Sequence, residues 1–133
     1  MKLLSTLLLG TALIAQTVVA QTKEDVIATI EKVNNYWQSH NSAKCRGFWD
    51  NAAYFTGNQE VYNLTGNQKY LDYAIEWAEF NNWKGATQKD KRRWRYQTYG
   101  EGMDFVLFAD WQICFQLYID LYKLEHRAER LER

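Results

Sequence analysis

The chain has 133 residues, of which 47% are hydrophobic and 16% aromatic, and its 16 Lys and Arg residues balance its 16 Asp and Glu residues. This length suits one small domain, and the neutral balance gives no basic bias of the kind that nucleic-acid binding requires. Cys45 and Cys114 could pair in an oxidising compartment. Cys114 also suits a buried free thiol on an apolar helix face, so the sequence leaves the pairing open.

The first 20 residues have the pattern of a secretory signal peptide. Lys2 precedes an apolar run from Leu3 to Ile14, and Val18-Val19-Ala20 places small side chains before a cleavage point. The apolar run is too short to span a bilayer, so a membrane anchor is disfavoured. We therefore expect a signal peptide at residues 1–20, a mature domain at residues 21–133, and a secreted or periplasmic protein with no membrane attachment after cleavage.

The next segment has the period of an amphipathic helix. Thr22 can cap a helix that begins at Lys23, and apolar residues recur every three or four positions along one face: Val26, Ile27, Ile30, Val33 and Trp37. A polar break follows at residues 40–44. This pattern predicts a first helix of about four to five turns.

Two more helices are predicted on either side of a glycine. The first runs from Trp49 to Thr65, and Gly66 stands where a C-terminal cap belongs. Asn67 can start the next helix, which ends at Asn81-Asn82 and carries Tyr70, Leu71, Ala74, Trp77 and Ala78 on its apolar face. Strand-like alternation is absent over any useful length and the chain has no Pro, so the sequence predicts an all-α fold.

A long irregular segment, KGATQKDKRRWRYQTYGEG, separates these helices from the last one. It spans Lys84–Gly102 and carries six Lys and Arg residues against Asp90 and Glu101, with aromatic rings threaded between them: Trp94, Tyr96 and Tyr99. A charge run of this kind can be a solvated loop. Rings that alternate with guanidinium groups also suit an acidic polysaccharide or single-stranded nucleic acid, and a secreted, near-neutral chain favours a uronic-acid polysaccharide.

The last predicted helix opens near Phe105 and has an apolar stripe made of Leu107, Trp111, Cys114, Tyr118 and Leu121. Asp110 lies beside this stripe and is either a solvated neighbour or a buried acid with a partner. Asp104 and Asp120 are predicted to be ordinary surface or capping residues. Tyr and Trp together outnumber Phe fifteen to six in the chain. That bias favours half-wet surfaces such as a sugar-binding cleft, although helical packing alone can absorb many rings.

Two stretches resemble the glycoside hydrolases of families 88 and 105, the unsaturated glucuronyl and rhamnogalacturonyl hydrolases. They are FWDNAAYFTGNQEVYNLTGNQKYLDYAIEWAEFNNW, residues 48–83, and FADWQICFQLYIDLYKLE, residues 108–125. The resemblance covers the chain from about Val26 onward and lies closest to the rhamnogalacturonyl group. It implies an (α/α)6 toroid of six helical hairpins, of which this chain holds about the first two.

The resemblance also implies the chemistry. Such enzymes act on the 4,5-unsaturated uronic acid that lyases leave on pectin oligosaccharides, and general acid catalysis hydrates its double bond without a metal or organic cofactor. Asp110 matches a substrate-contacting aspartate, and the predicted substrate-binding residues are Trp49, Tyr54 and Trp111. The main proton-donating Asp has no match here, so we expect the isolated chain to be inactive and marginally stable.

Two alternatives remain open. The spacing of Tyr70, Ala74 and Trp77 is also found in non-catalytic helical-repeat modules, although a fixed repeat period is only loosely present. A secreted glycan-binding protein could use the Lys84–Gly102 loop without any chemistry.

Overall fold

The computed structural model describes residues 21–85, 88, 90–98, 100, 102 and 104–130, and within these ranges it is helical with no strand. The all-α prediction is confirmed, while the predicted signal peptide lies outside the described residues. Five α-helices follow in chain order, with 3-10 turns at Lys91–Arg93 and Ala128–Arg130: α1 (Lys23–His40), α2 (Trp49–Thr65), α3 (Gln68–Phe80), α4 (Ala109–Gln112) and α5 (Cys114–Glu125).

Local capping sets the ends of the first three helices where the sequence predicts them. Thr22 and Asp25 form a capping box at the start of α1, in which each side chain accepts a hydrogen bond from the other residue's backbone N–H. Gly66 ends α2 in the left-handed region at φ 68°, a conformation that costs glycine little. The Asn67 side chain then accepts from the backbone N–H of Lys69 and starts α3.

The apolar stripe of α1 is only partly covered. Val26 and Val33 are 42% and 65% exposed, and Asn34 is the one buried residue of this helix. The stripe borders a groove of about 380 Å³ between α1 and α2, whose lining includes Ile30, Val33, Trp37, Ala53, Gly57 and Val61. Among the described residues, the predicted helix face packs on α2 where Trp37 stacks on Tyr54, and the groove borders the rest of it.

The core lies between α2, α3 and α5 and is built from aromatic rings. Phe55 stacks on Trp77 with ring centroids 4.6 Å apart and an interplanar angle of 12°. Tyr118 contacts Trp77 at 5.7 Å and Trp83 at 5.5 Å. All four side chains are at most 1% exposed, so this row of rings supplies much of the apolar area that stabilises the fold.

Asn81, at the end of α3, fixes the chain just before α2. Its Oδ1 accepts a 2.7 Å hydrogen bond from the Gly47 backbone N–H, and its Nδ2 donates to the carbonyl oxygens of Cys45 (3.0 Å) and Trp77 (2.9 Å). Gly47 lies so close that an added Cβ would stand 3.1 Å from the Asn81 Oδ1. The first residue of α2, Trp49, therefore follows a segment that one buried amide holds in place.

The turn that follows α3, residues 81–85, also contacts α5 and α4. The Lys84 carbonyl oxygen accepts a 3.2 Å hydrogen bond from the Tyr118 hydroxyl of α5. Gly85 packs directly on α4, and a Cβ at this position would overlap the Trp111 carbonyl oxygen. Only glycine permits this close approach of two backbones.

The prediction of a helix that opens near Phe105 is wrong. Helix α4 begins at Ala109, and Ile113 separates it from α5. Residues 104–106 instead pair with Arg95, whose N–H donates to the Asp104 carbonyl (2.7 Å) and whose carbonyl accepts from the Val106 N–H (2.9 Å). Because these backbone groups already bond to the loop, they cannot join a helical ladder.

The apolar stripe predicted for this last helix is confirmed in its helical part. Trp111, Cys114, Tyr118 and Leu121 are buried, whereas Leu107 precedes α4 and is 44% exposed. Both cysteines are free, with Cys45 half-buried and Cys114 buried, so the pairing that the sequence left open is not formed. No helix among the described residues is both long and apolar enough to cross a membrane.

Replacement of Asn81 should destabilise the fold. Asn81→Ala removes three hydrogen bonds and leaves the Gly47 N–H buried without its acceptor, so we expect unfolding to cost about 2–4 kcal/mol less. Chemical denaturation followed by far-UV circular dichroism measures this loss. Asn41→Ala, which removes one exposed hydrogen bond to the Trp37 carbonyl, is the control and should lose less than about 1 kcal/mol. Equal losses would show that Asn81 has no special role.

The two thiols should react at different rates. Burial raises the pKa of the Cys114 thiol from 9.0 to about 12, and burial also raises the pKa of Cys45. Only the thiolate is nucleophilic, so iodoacetamide at about pH 8 should modify half-buried Cys45 slowly and Cys114 only after unfolding. Because folding favours the neutral thiol, Cys114 contributes stability below pH 9 that is lost as the pH rises toward about 12. Peptide mass spectrometry reads the labelling, and fast native labelling of Cys114 would contradict its burial.

Candidate functional site

The starts of α2 and α4 meet at one end of the helix set. The Phe48 ring, at the N-cap of α2, lies edge-on against the Trp111 ring of α4 with centroids 4.6 Å apart and an interplanar angle of 62°. Trp49 follows Phe48 and Asp110 precedes Trp111 in the chain. This contact therefore brings two of the predicted site residues, Trp49 and Asp110, to the same end of the molecule.

Trp49 offers an aromatic surface to solvent. It is 51% exposed, whereas Trp77 and Trp83 in the core are 0% and 1% exposed. A half-exposed indole at the first position of a helix adds little to the core but can stack on the apolar face of a sugar ring. Its exposure suits the substrate-binding role that the sequence predicts.

Asp110 carries a carboxylate that has no partner among the residues the structure describes. It is half-buried on α4, and no described side chain or backbone group forms a hydrogen bond or ion pair with it. The other two acids of this region differ, because Asp104 pairs with Arg95 at 3.1 Å and Asp120 pairs with Lys123 at 2.9 Å. Asp104 and Asp120 thus form ion pairs within the fold, whereas Asp110 is half-buried beside the apolar stripe.

Trp111, unlike Trp49, is buried between helices. It is 6% exposed, and its Nε1–H has no hydrogen-bond partner within the described part of the chain. Its contacts with Phe48 and Gly85 join α4 to α2 and to the turn after α3. Trp111 does not present an open ring face here, and a direct substrate contact by this residue stays a prediction.

Tyr54 lies on another side of α2. Its ring stacks on Trp37 of α1 at 4.4 Å, and its hydroxyl donates a 2.6 Å hydrogen bond to the Asn34 Oδ1. Asn34 in turn donates to buried Asn58, whose amide donates to the Tyr70 carbonyl. Burial raises the pKa of Tyr54, so the phenol stays neutral in this network. These contacts do not bring Tyr54 to Asp110, and its part in a sugar pocket stays a prediction.

Arg46 is a site neighbour that the sequence pattern did not single out. Its guanidinium lies 4.5 Å from the centroid of the Phe48 ring and forms a 3.3 Å ion pair with Asp50 on the first turn of α2. Both charged groups are largely exposed, so the pair is weak and can exchange partners. The signal in the sequence is only a cation two residues before Phe48, which is too common to identify a site.

No group of three or more His, Cys, Asp or Glu side chains in the described ranges could hold a metal ion. The polar groups near the starts of α2 and α4 include the Asp110 carboxylate, the exposed Trp49 indole and the Arg46–Asp50 ion pair. An exposed ring and a carboxylate at one end of packed helices suit the class of carbohydrate-binding proteins.

Comparison with known proteins narrows this class. The model for Glycosyl Hydrolase Family 88 matches residues 14–133, and the chain belongs to that family. A solved structure described as glycosyl hydrolase family 88 from Bacteroides vulgatus is 50% identical, with a TM-score of 0.77 over 85% of this chain and 32% of its own length. A second, described as a polysaccharide lyase, is 51% identical with a TM-score of 0.73 over 83% of this chain and 31% of its own.

The chain thus spans about a third of the length of these solved structures. The match confirms the predicted family resemblance and a fold that is part of a six-hairpin toroid. No curated protein sequence gives a match to this chain.

The two tryptophans of the site should differ sharply in their effect on stability. Trp49→Ala removes a half-exposed ring and should change the free energy of unfolding by less than about 1 kcal/mol. Trp111→Ala removes a buried ring and should cost about 3–5 kcal/mol. Urea denaturation compares the two variants directly. A large loss for Trp49→Ala would place its ring in the core and weaken its assignment to ligand binding.

Proposed function

We propose that this chain supplies one part of the active site of a glycoside hydrolase that removes 4,5-unsaturated uronic acid from lyase-generated oligosaccharides. The proposed parent polysaccharide is rhamnogalacturonan. The observation that carries the proposal is the half-buried carboxylate of Asp110, at the same end of the helices as the exposed Trp49 ring, in a chain of family 88. This carboxylate has no partner among the described residues.

The proposed reaction is hydration of the double bond in the substrate's unsaturated uronic acid. The substrate's double bond belongs to a vinyl ether, so a proton adds to C4 and water adds to C5. The resulting hemiketal then opens and releases the neighbouring sugar. This is positioned general acid catalysis rather than displacement by two carboxylates at the anomeric carbon.

The residues of this chain bind and orient the substrate. The Asp110 carboxylate can accept hydrogen bonds from sugar hydroxyl groups, and the Trp49 ring can stack on the sugar face. Arg46 can exchange its exposed pairing with Asp50 for the uronate carboxylate. The resemblance supplies no match in this chain for the main proton donor, so the isolated chain is proposed to bind substrate without turnover.

A second candidate activity comes from the neighbour that is described as a polysaccharide lyase. Elimination would create the 4,5 double bond, whereas hydration consumes it. The two activities therefore change the ultraviolet absorbance of the double bond in opposite directions. One continuous assay distinguishes them without product identification.

A chimera tests the proposal. Residues 23–130 replace the matching third of the Bacteroides vulgatus family 88 protein, which shares 50% identity with them. We expect this chimera to consume an unsaturated rhamnogalacturonan disaccharide, with falling absorbance, while the chain alone has no turnover. Asp110→Asn weakens hydrogen bonds between a charged carboxylate and the sugar, so it should lower kcat/KM by about 10- to 100-fold.

Asp120→Asn is the matched control, because Asp120 pairs with Lys123 on the surface of α5, and it should keep the activity of the parent chimera. Rising absorbance on the intact polysaccharide would establish the lyase. A folded chimera that binds sugar without either change would favour a binding module, and an unaffected Asp110→Asn variant would remove Asp110 from the site.

A further inference from the structure

The basic segment that follows α3 contains a built turn. Asp90 accepts hydrogen bonds from both the backbone N–H and the Nε of Arg92, each at 3.0 Å, and so caps the 3-10 turn Lys91–Arg93. Trp94 directly follows this turn, and its half-buried ring holds it in place because Nε1 donates a 2.7 Å hydrogen bond to the Gln88 carbonyl. The cations of this turn are thus held on a defined backbone.

Internal pairing neutralises only some of these cations. Arg92 pairs with Asp90, and Arg95 pairs with Asp104 while its guanidinium also lies over the Phe105 ring. Lys91 and Arg93 are exposed and have no described carboxylate partner, although the Lys91 ammonium lies 5.6 Å from the centroid of the Trp94 ring.

Tyr96 completes the surface with an aromatic ring. It is 64% exposed and comes directly after Arg95, on the same anchored stretch of backbone. An exposed ring of this size contributes almost nothing to the core. In the same segment as the two available cations, it offers a stacking face that a sugar ring can use.

This segment is attached close to the candidate site. The backbone of Arg95 bonds to Asp104 and Val106, and Val106 stands only four positions before Asp110 in the chain. Four residues of extended chain span at most about 14 Å. The end of the segment at Arg95, which pairs with Val106, therefore lies within reach of a ligand a few sugar units long that is bound at Asp110.

We infer that Lys91, Arg93 and Tyr96, together called the loop patch, form an accessory binding surface for further uronate units of an acidic oligosaccharide. Guanidinium and ammonium groups pair with uronate carboxylates, and the phenol ring stacks on a sugar face. That the ligand runs from the loop patch toward Asp110 rests on the proposed function. Nucleic acid is less favoured because the chain has no net positive charge.

The test measures binding of a saturated oligogalacturonate, which has no double bond and cannot be hydrated. Calorimetry on the full chain should show binding that weakens as salt is added. Lys91→Gln/Arg93→Gln should bind at least about fivefold more weakly, and Tyr96→Ala should also bind more weakly. The matched control, Lys23→Gln/Lys32→Gln, removes two exposed charges from α1 and should leave the affinity unchanged.

The inference is overturned by absent binding, by equal effects of the two double variants, or by equal affinity for a neutral oligosaccharide. Tighter binding of single-stranded DNA of the same charge would assign the surface to nucleic acid instead. Far-UV circular dichroism of each variant shows whether the helices are intact. Because the probe is saturated, these results do not depend on turnover, so an inactive chimera with intact oligogalacturonate binding would contradict the proposed function alone.

Discussion

The three hydrogen bonds of the Asn81 side chain are the constraint on which the geometry of this molecule depends. Residues 45–47 have no helical partners of their own, and a buried backbone N–H without an acceptor is costly. The Asn81 amide satisfies the Cys45 carbonyl and the Gly47 N–H, and also the Trp77 carbonyl near the end of α3. The start of α2, with its exposed Trp49 ring, is consequently held in place by a residue at the end of α3.

The turn that begins at Asn81 is itself strained and needs support from both sides. Trp83 is buried although its φ is 56°, a conformation that is unfavourable for a large side chain. Tyr118 packs against the Trp83 ring, and the Arg130 guanidinium lies 4.7 Å from the centroid of the Trp83 ring. Arg130 is 3% exposed and bonds to the Leu121 carbonyl and Glu125, so the end of the described chain stabilises the turn.

Features that depend on local chemistry could be predicted from the sequence. The caps at Thr22, Gly66 and Asn67 set helix ends through contacts within a few residues, and all three predictions are confirmed. The start of the last helix could not be predicted, because the pairing of Arg95 with residues 104–106 is a contact between segments. Exposure is also non-local: Trp49 and Trp111 look alike in sequence, and only packing leaves one open and buries the other.

The core and the candidate site therefore depend on different surfaces of the same helices. Phe55, Trp77 and Tyr118 complete a packed row without using Asp110 or Trp49. A half-exposed carboxylate without a partner in the described part of the chain stays hydrated at little cost in stability, which keeps its lone pairs available for sugar hydroxyl groups. The fixed turn orients both helix starts before any ligand is bound, so binding at this end requires little further ordering of the backbone.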